Sequence, residues 1–170
     1  MNVFLIGYMA SGKSVVGERL AQILNYRFVD TDKWVEARFC KTIPQIFAED
    51  GESNFRTKEK ECLEFLVDQE NLVIATGGGT PFFNQGMELM NELGETVYLK
   101  ANSQTLAARL WDEKSNRPKL NSCKSIEDLN HFISEHLSQR ELVYEKCRHT
   151  TSVDEKSVEQ IAKKIKSLLI

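Results

Sequence analysis

The segment Gly7-Tyr8-Met9-Ala10-Ser11-Gly12-Lys13-Ser14 carries the densest chemistry in the chain. A glycine, four residues and then Gly-Lys-Ser is the spacing of a loop that wraps a polyphosphate. Gly7 and Gly12 permit the backbone conformations that turn successive N–H groups inward, and a helix opening directly afterwards adds partial positive charge at the phosphates. Lys13 would then meet the β- and γ-phosphates of a nucleotide such as ATP, and the Ser14 hydroxyl would ligate Mg²⁺. With Val15, the run from Gly7 to Val15 forms the candidate nucleotide site.

Two further clusters carry chemistry. Asp30-Thr31-Asp32 follows a predicted strand, at the sheet edge where ligands bind in open α/β folds. One of the two carboxylates is suited to hold a Mg²⁺ water shell, and the other to orient or deprotonate an attacking hydroxyl. Aspartate is also a favoured helix cap, so one of the pair is equally suited to cap a helix beginning near Lys33. Thr76-Gly77-Gly78-Gly79-Thr80-Pro81 follows another strand. Three consecutive glycines are costly in backbone entropy unless a ligand or side chain must approach closely. Thr76 stands where an acidic residue often faces the metal in nucleotide-binding sheets, and its hydroxyl could meet a metal-bound water. Arg56, Arg117 and Arg140 are guanidiniums that could fork onto a carboxylate or phosphate, although isolated arginines are commonly solvated surface residues.

Positioning these groups requires strands that end beside helix starts. Short apolar runs alternate with helical periodicity, which predicts βαβ units around a parallel sheet. The five strands lie near residues 2–6, 27–29, 72–75, 96–99 and, weakly, 150–153. A first helix runs to about Leu24 on Val16, Leu20, Ile23 and Leu24. A long helix follows a Ser125/Asp128 capping box, and a last helix presents Val158, Ile161, Ala162, Ile165 and Leu168. Two or three helices fill residues 31–70, broken near 41–44 and at 50–51. The polar stretch 112–124 is long for a connection and suits a lid over a site.

The 170 residues fit one domain, 1–170, and 41% hydrophobic with 28% charged residues is an ordinary globular composition. A net charge of −3 with no basic tract leaves no footprint for nucleic acid or an anionic membrane. Cys40, Cys62, Cys123 and Cys147 show no CxxC pair or metal-ligand spacing, so free, mostly buried thiols in a reducing compartment are expected. With no signal peptide or spanning segment in view, a cytoplasmic location is expected. His131, His136 and His149 show no functional pairing.

The loop, Asp-Thr-Asp, Phe55-Arg56, the triple glycine and Arg117-Pro118 occur in an order and spacing that resemble the shikimate kinase family across nearly the whole chain. The resemblance implies a three-layer α/β P-loop kinase fold with a five-stranded parallel sheet in order 2-3-1-4-5, a substrate-binding segment at about 31–60 and a lid at about 112–124. It implies MgATP-dependent phosphorylation of the 3-hydroxyl of shikimate by a monomer. Asp32 would hold substrate hydroxyls, Arg56 and Arg140 its carboxylate, and Gly78, within the substrate-binding run Gly77, Gly78 and Gly79, its ring substituents through backbone, while Asp30 would serve Mg²⁺ through water. Arg117 would act from the lid on the transferred phosphoryl group, with Lys13 and Asp32 as its catalytic partners, and Arg109 would lie against adenine. The chain departs from the family pattern at Ala10-Ser11, where Gly-Ala is common. Arg109 precedes Arg117 by eight positions instead of seven, Lys119 replaces an apolar residue, and Arg140-Glu141-Leu142-Val143-Tyr144 lacks a proline. The alternatives are a kinase of another small hydroxy acid, such as gluconate, and a nucleotide-dependent switch, although no Asn-Lys-x-Asp motif occurs.

Overall fold

The structure, a computed structural model, describes residues 1–111, 120 and 122–169. Chain order is β1 (Asn2–Ile6), α1 (Lys13–Leu24), β2 (Arg27–Asp30), α2 (Thr31–Phe39), α3 (Ile43–Glu49), α4 (Gly51–Leu66) and β3 (Leu72–Ala75). A 3₁₀ turn at Thr80–Phe82, α5 (Gly86–Leu93), β4 (Gly94–Lys100), α6 (Ser103–Trp111), α7 (Ile126–Tyr144), β5 (His149–Ser152) and α8 (Val158–Leu168) follow.

The strands form one parallel sheet in the order β2-β3-β1-β4-β5. This is the order that the family resemblance implies. The middle strand β1 is buried along its whole length, as is its neighbour β3. Unbroken apolar runs such as Val3-Phe4-Leu5-Ile6 therefore face helices on both sides. The edge strand β5 reads His-Thr-Thr-Ser and is only partly covered, which is why its sequence signal is weak. It starts one residue earlier than expected, and Val153 still donates its N–H to Lys100 O at 2.9 Å beyond the assigned end.

Helix α1 packs on α8 through Val16, Leu20, Ile161, Ala162 and Ile165, and an ion pair between Arg19 and Glu159 closes the seam. Val158, expected on the buried face, is exposed at the first turn of α8. In the crossover from β2 to β3 three helices occur, and Pro44 lies inside the first turn of α3, not in the break before it. Thr42 and Gln45 form a capping box there, and proline is tolerated in a first turn because its missing N–H would have no intrahelical partner. The 3₁₀ turn and α5 are short, and no long apolar period announces them. The four cysteines are free; Cys62 and Cys123 are buried, whereas Cys40 is exposed.

Ser125 caps α7 as expected: its Oγ accepts from Asp128 N at 3.0 Å, and Asp128 Oδ2 accepts from Ser125 N at 3.2 Å. Ser125→Ala should cost about 1 kcal/mol, read as a lower denaturant midpoint at unchanged slope. An unchanged midpoint would mean that this capping box contributes nothing to holding α7.

Candidate active site

The loop after β1 runs to Gly12, whose φ of 95° is left-handed and places it as the N-cap of α1. Among the described residues no side chain caps this helix, and no acidic residue occupies its first turn. Its leading N–H groups are therefore open to an anion from outside the chain. Lys13 folds back over the loop, donating from Nζ to Gly7 O at 2.9 Å and to Tyr8 O at 2.8 Å, which sets the ammonium above the cradle.

Asp30 serves two neighbours with its two oxygens. Oδ1 accepts from Asp32 N at 3.1 Å and Lys33 N at 3.2 Å, capping α2, while Oδ2 accepts from Ser14 Oγ at 2.7 Å. The helix thus begins at Thr31, earlier than the sequence suggests, and Asp32 stands in its first turn. That position, along with Lys13, favours a charged carboxylate. Burial, helped by the nearby Glu59 and Asp30 carboxylates, wins and pushes the Asp32 carboxyl up to about 6.

Gly77, Gly78 and Gly79 are bare for different reasons. A Cβ on Gly77 would lie 2.7 Å from Glu59 Oε1 and 3.0 Å from Asp32 Oδ1, so two carboxylates converge above it. Gly78 O accepts from Arg140 Nη1 at 3.1 Å and from the Tyr144 hydroxyl at 2.7 Å. A Cβ on Gly79 would sit 2.6 Å from Arg56 Nη1. The loop after β3 therefore brings guanidiniums from α4 and α7 to adjacent residues, beside Asp32 from α2. Thr76 is different: its buried hydroxyl donates to Leu5 O at 3.0 Å, a bond that ties β3 to β1.

Several residues here escaped sequence reasoning. Glu59 is 3% exposed, accepts from Arg56 Nη1 at 2.6 Å and accepts from Thr80 Oγ1 at 2.6 Å. Its signal was available, since it lies on the buried stripe of α4 with Phe55, Cys62, Leu63 and Leu66, where a carboxylate needs partners. His136 shows no functional pairing in the sequence, yet its Nδ1 shares a 2.8 Å hydrogen bond with the Tyr8 hydroxyl, linking α7 to the phosphate loop. His131 pairs with exposed Glu135, and His149 bonds Glu95 at 2.8 Å.

Arg109 donates from Nη1 to Ala10 O at 3.0 Å. It lines a cavity of about 220 Å³ with Val15, Lys156 and Val158, which gives the exposed Val15 and Val158 side chains a common wall. Arg117, Lys119 and most of the expected lid lie outside the described residues.

The arrangement pairs an open, positively biased phosphate cradle with a carboxylate and two guanidiniums, the set that phosphoryl transfer to a hydroxy acid requires. A family model described as shikimate kinase matches residues 9–169. The chain belongs to the shikimate kinase family. It is 47% identical over 143 residues to a shikimate kinase of Azobacteroides pseudotrichonymphae, covering 84% of each chain. Among solved structures it resembles shikimate kinase from Bacteroides thetaiotaomicron, with a TM-score of 0.90, 36% identity and coverage of 99% and 98%. It also resembles shikimate kinase from Acinetobacter baumannii in complex with shikimate, with a TM-score of 0.85, 32% identity and coverage of 98% and 91%.

Against the shikimate kinase pattern, Ala10 holds a left-handed φ of 61° at a position where glycine is common. Ala10→Gly should therefore stabilise the protein by about 1 kcal/mol, a rise in Tm of about 2–4 °C for a chain of this size. A lower Tm would show that the loop tolerates alanine without strain.

The Asp32 shift carries a second expectation. Its folded value, about 6, lies above the ordinary 3.8, so its neutral form favours folding. That contribution is complete below about pH 4 and is lost as pH rises through about 6. Asp32→Asn should accordingly raise the unfolding free energy by about 2 kcal/mol more at about pH 8 than at about pH 4.5. Equal effects at the two pH values would remove the shift.

Proposed function

We propose that this chain transfers the γ-phosphoryl group of ATP to the 3-hydroxyl of shikimate, giving ADP and shikimate 3-phosphate. The observation that carries this reading is the placement of Arg56 and Arg140 at adjacent glycines, beside Asp32 and next to the phosphate loop. Two guanidiniums match one carboxylate, and the neighbouring acid faces a hydroxyl of the same small molecule. The family membership supports the same substrate.

In this reading the loop from Gly7 to Val15 holds the triphosphate, and Lys13 leaves the Gly7 and Tyr8 carbonyls to contact the β- and γ-phosphates. Arg56 and Arg140 orient the acceptor by its carboxylate, and the bare backbone of Gly77, Gly78 and Gly79 lets its ring lie close. Asp32 holds the hydroxyls and takes the proton of the attacking one as its oxygen bonds to the γ-phosphorus and the bond to the β-phosphate oxygen breaks. A carboxylate with a value near 6 suits a base at neutral pH, being ionised yet more basic than an exposed aspartate. Arg117 from a lid over 112–124 supplies positive charge to the transferred group and helps exclude water, a competing acceptor. Arg109 and the cavity beside Val15 receive adenine.

Ser14 Oγ and Asp30 Oδ2, 2.7 Å apart, are hard oxygen donors at the lip of the cradle, and Mg²⁺ is bound in phosphate sites through one or two such groups together with phosphate and water. When bound, the ion neutralises charge on the β- and γ-phosphates. Helices α2 to α4, over about 31–60, form the substrate-binding segment of a single-domain, cytoplasmic monomer that binds neither nucleic acid nor membrane. Among the described residues, no helix is long and apolar enough to cross a membrane.

A coupled assay of ADP release with MgATP, comparing shikimate, gluconate, a nucleoside monophosphate and no acceptor, tests the substrate. Release should require shikimate. Release with another acceptor keeps the kinase chemistry and overturns the assignment, and release without any acceptor favours a nucleotide switch. Asp32→Asn should lower kcat by about 10²- to 10⁴-fold while leaving ATP affinity nearly intact. For the unsubstituted chain, kcat/KM for shikimate should fall as pH drops through about 6, following protonation of Asp32. A flat profile from about pH 5 to 8 would remove Asp32 as base.

A further inference from the structure

Two consecutive aromatic residues, Phe82 and Phe83, leave the triple-glycine loop, and each lies against a different guanidinium. The Arg56 guanidinium carbon is 4.1 Å from the centre of the Phe83 ring, and that of Arg140 is 5.3 Å from the centre of the Phe82 ring. Both distances are within the range of an electrostatic attraction between a cation and a ring face. The two arginines come from α4 and α7 and reach this loop at neighbouring residues, Arg56 beside Gly79 and Arg140 at Gly78 O, so the loop is placed to set their separation.

The local backbone suits that task. Phe82 closes the 3₁₀ turn and Phe83 is extended, so the two side chains diverge from neighbouring Cα atoms. Phe82 is anchored edge-on against the buried Tyr144, with ring centres 5.5 Å apart. Behind Phe83 the chain turns through Asn84 and Gln85, both left-handed at φ 54° and 56°, and Asn84 Nδ2 donates to Arg56 O at 3.2 Å. Two adjacent left-handed residues without glycine are an uncommon conformation, held here by contacts that fix Phe83 beneath the arginine.

We propose that Phe82 and Phe83 are positioning residues that fix the spacing and tilt of Arg140 and Arg56, and thereby set the preference for an acceptor carrying a carboxylate. Phe83 is the informative member, being 39% exposed and outside the packed core that Phe82 joins. It braces a guanidinium that would otherwise follow its two carboxylate partners, Glu59 at 2.6 Å and Glu52 at 2.9 Å. The inference rests on the reading that Arg56 binds the substrate carboxylate.

Steady-state kinetics of the purified full chain with MgATP and shikimate test it. Phe83→Leu, which keeps an apolar side chain but removes the ring, should raise the KM for shikimate about three- to tenfold. The kcat and the KM for ATP should stay within about twofold. Phe83→Tyr, which keeps the ring face, should restore the KM. In an Arg56→Ala background, Phe83→Leu should change kcat/KM by less than about twofold, because no guanidinium remains to be placed. Should Phe83→Leu melt below the assay temperature, Phe83→Met takes its place. A KM unchanged in Phe83→Leu, a tyrosine variant as impaired as the leucine one, or full additivity with Arg56→Ala would each overturn the proposal. If those results came with a strongly raised KM in Arg56→Ala alone, the reading of Arg56 would stand while the aromatic brace failed. An unchanged KM in Arg56→Ala would overturn both.

Discussion

No side chain projects from residues 77 to 79, and the active site depends on that bareness. Two carboxylates and one guanidinium already occupy the space where Cβ atoms on Gly77 and Gly79 would sit. The carbonyl of Gly78, exposed by the same lack of bulk, gathers Arg140 and Tyr144 from one helix. Backbone is rigid where side chains are not, so a loop stripped to backbone becomes a ruler against which groups from α2, α4 and α7 are set. The entropy cost of three glycines in a row is offset by the contacts they allow.

Charge balance around that loop explains the rest of the site. Asp32, Glu59 and Asp30 put three acids near one another, and the protein stabilises the group unequally. Glu59 has Arg56 and Thr80, and Asp30 has Ser14 and the amides of α2. Among the described residues Asp32 has no comparable set of hydrogen bonds to offset its burial, and its carboxyl is pushed up. For the proposed reaction, withholding partners from one member of a cluster would make a base, at a cost in stability typical of functional sites. The phosphate cradle follows the same logic with opposite sign, since a helix start left without a side-chain cap or acid keeps its N–H groups for a ligand.

Much of the fold was legible because a parallel sheet buried on both faces demands unbroken apolar runs, and β1 and β3 have them. Capped amphipathic helices were equally plain, as α7 and its Ser125–Asp128 box illustrate. Signals were weak where the demand was weak, at β5, an edge strand of polar residues still legible to within one residue, and missing at the 3₁₀ turn and α5, too short for a period to build up. Within the site, Glu59 carried a readable mark, a charge on an apolar stripe. His136 and the Phe82–Phe83 pair carried none, since their partners lie far away in the chain.

The sequence by itself determined the chemistry that local order can encode: a phosphate loop between strand and helix, acids at a strand end, and a glycine run that only close approach could justify. Family resemblance added the strand order and the acceptor. Tertiary structure alone decided which distant groups meet, placing Arg56 and Arg140 at adjacent glycines, tying Tyr8 to His136, and dividing Asp30 between a helix cap and Ser14. It also decided that the Asp32 carboxyl bears a raised value. The reason is physical: backbone conformation follows from neighbours in the chain, whereas burial and electrostatics are sums over neighbours in space, which exist only once the sheet has brought its edges together.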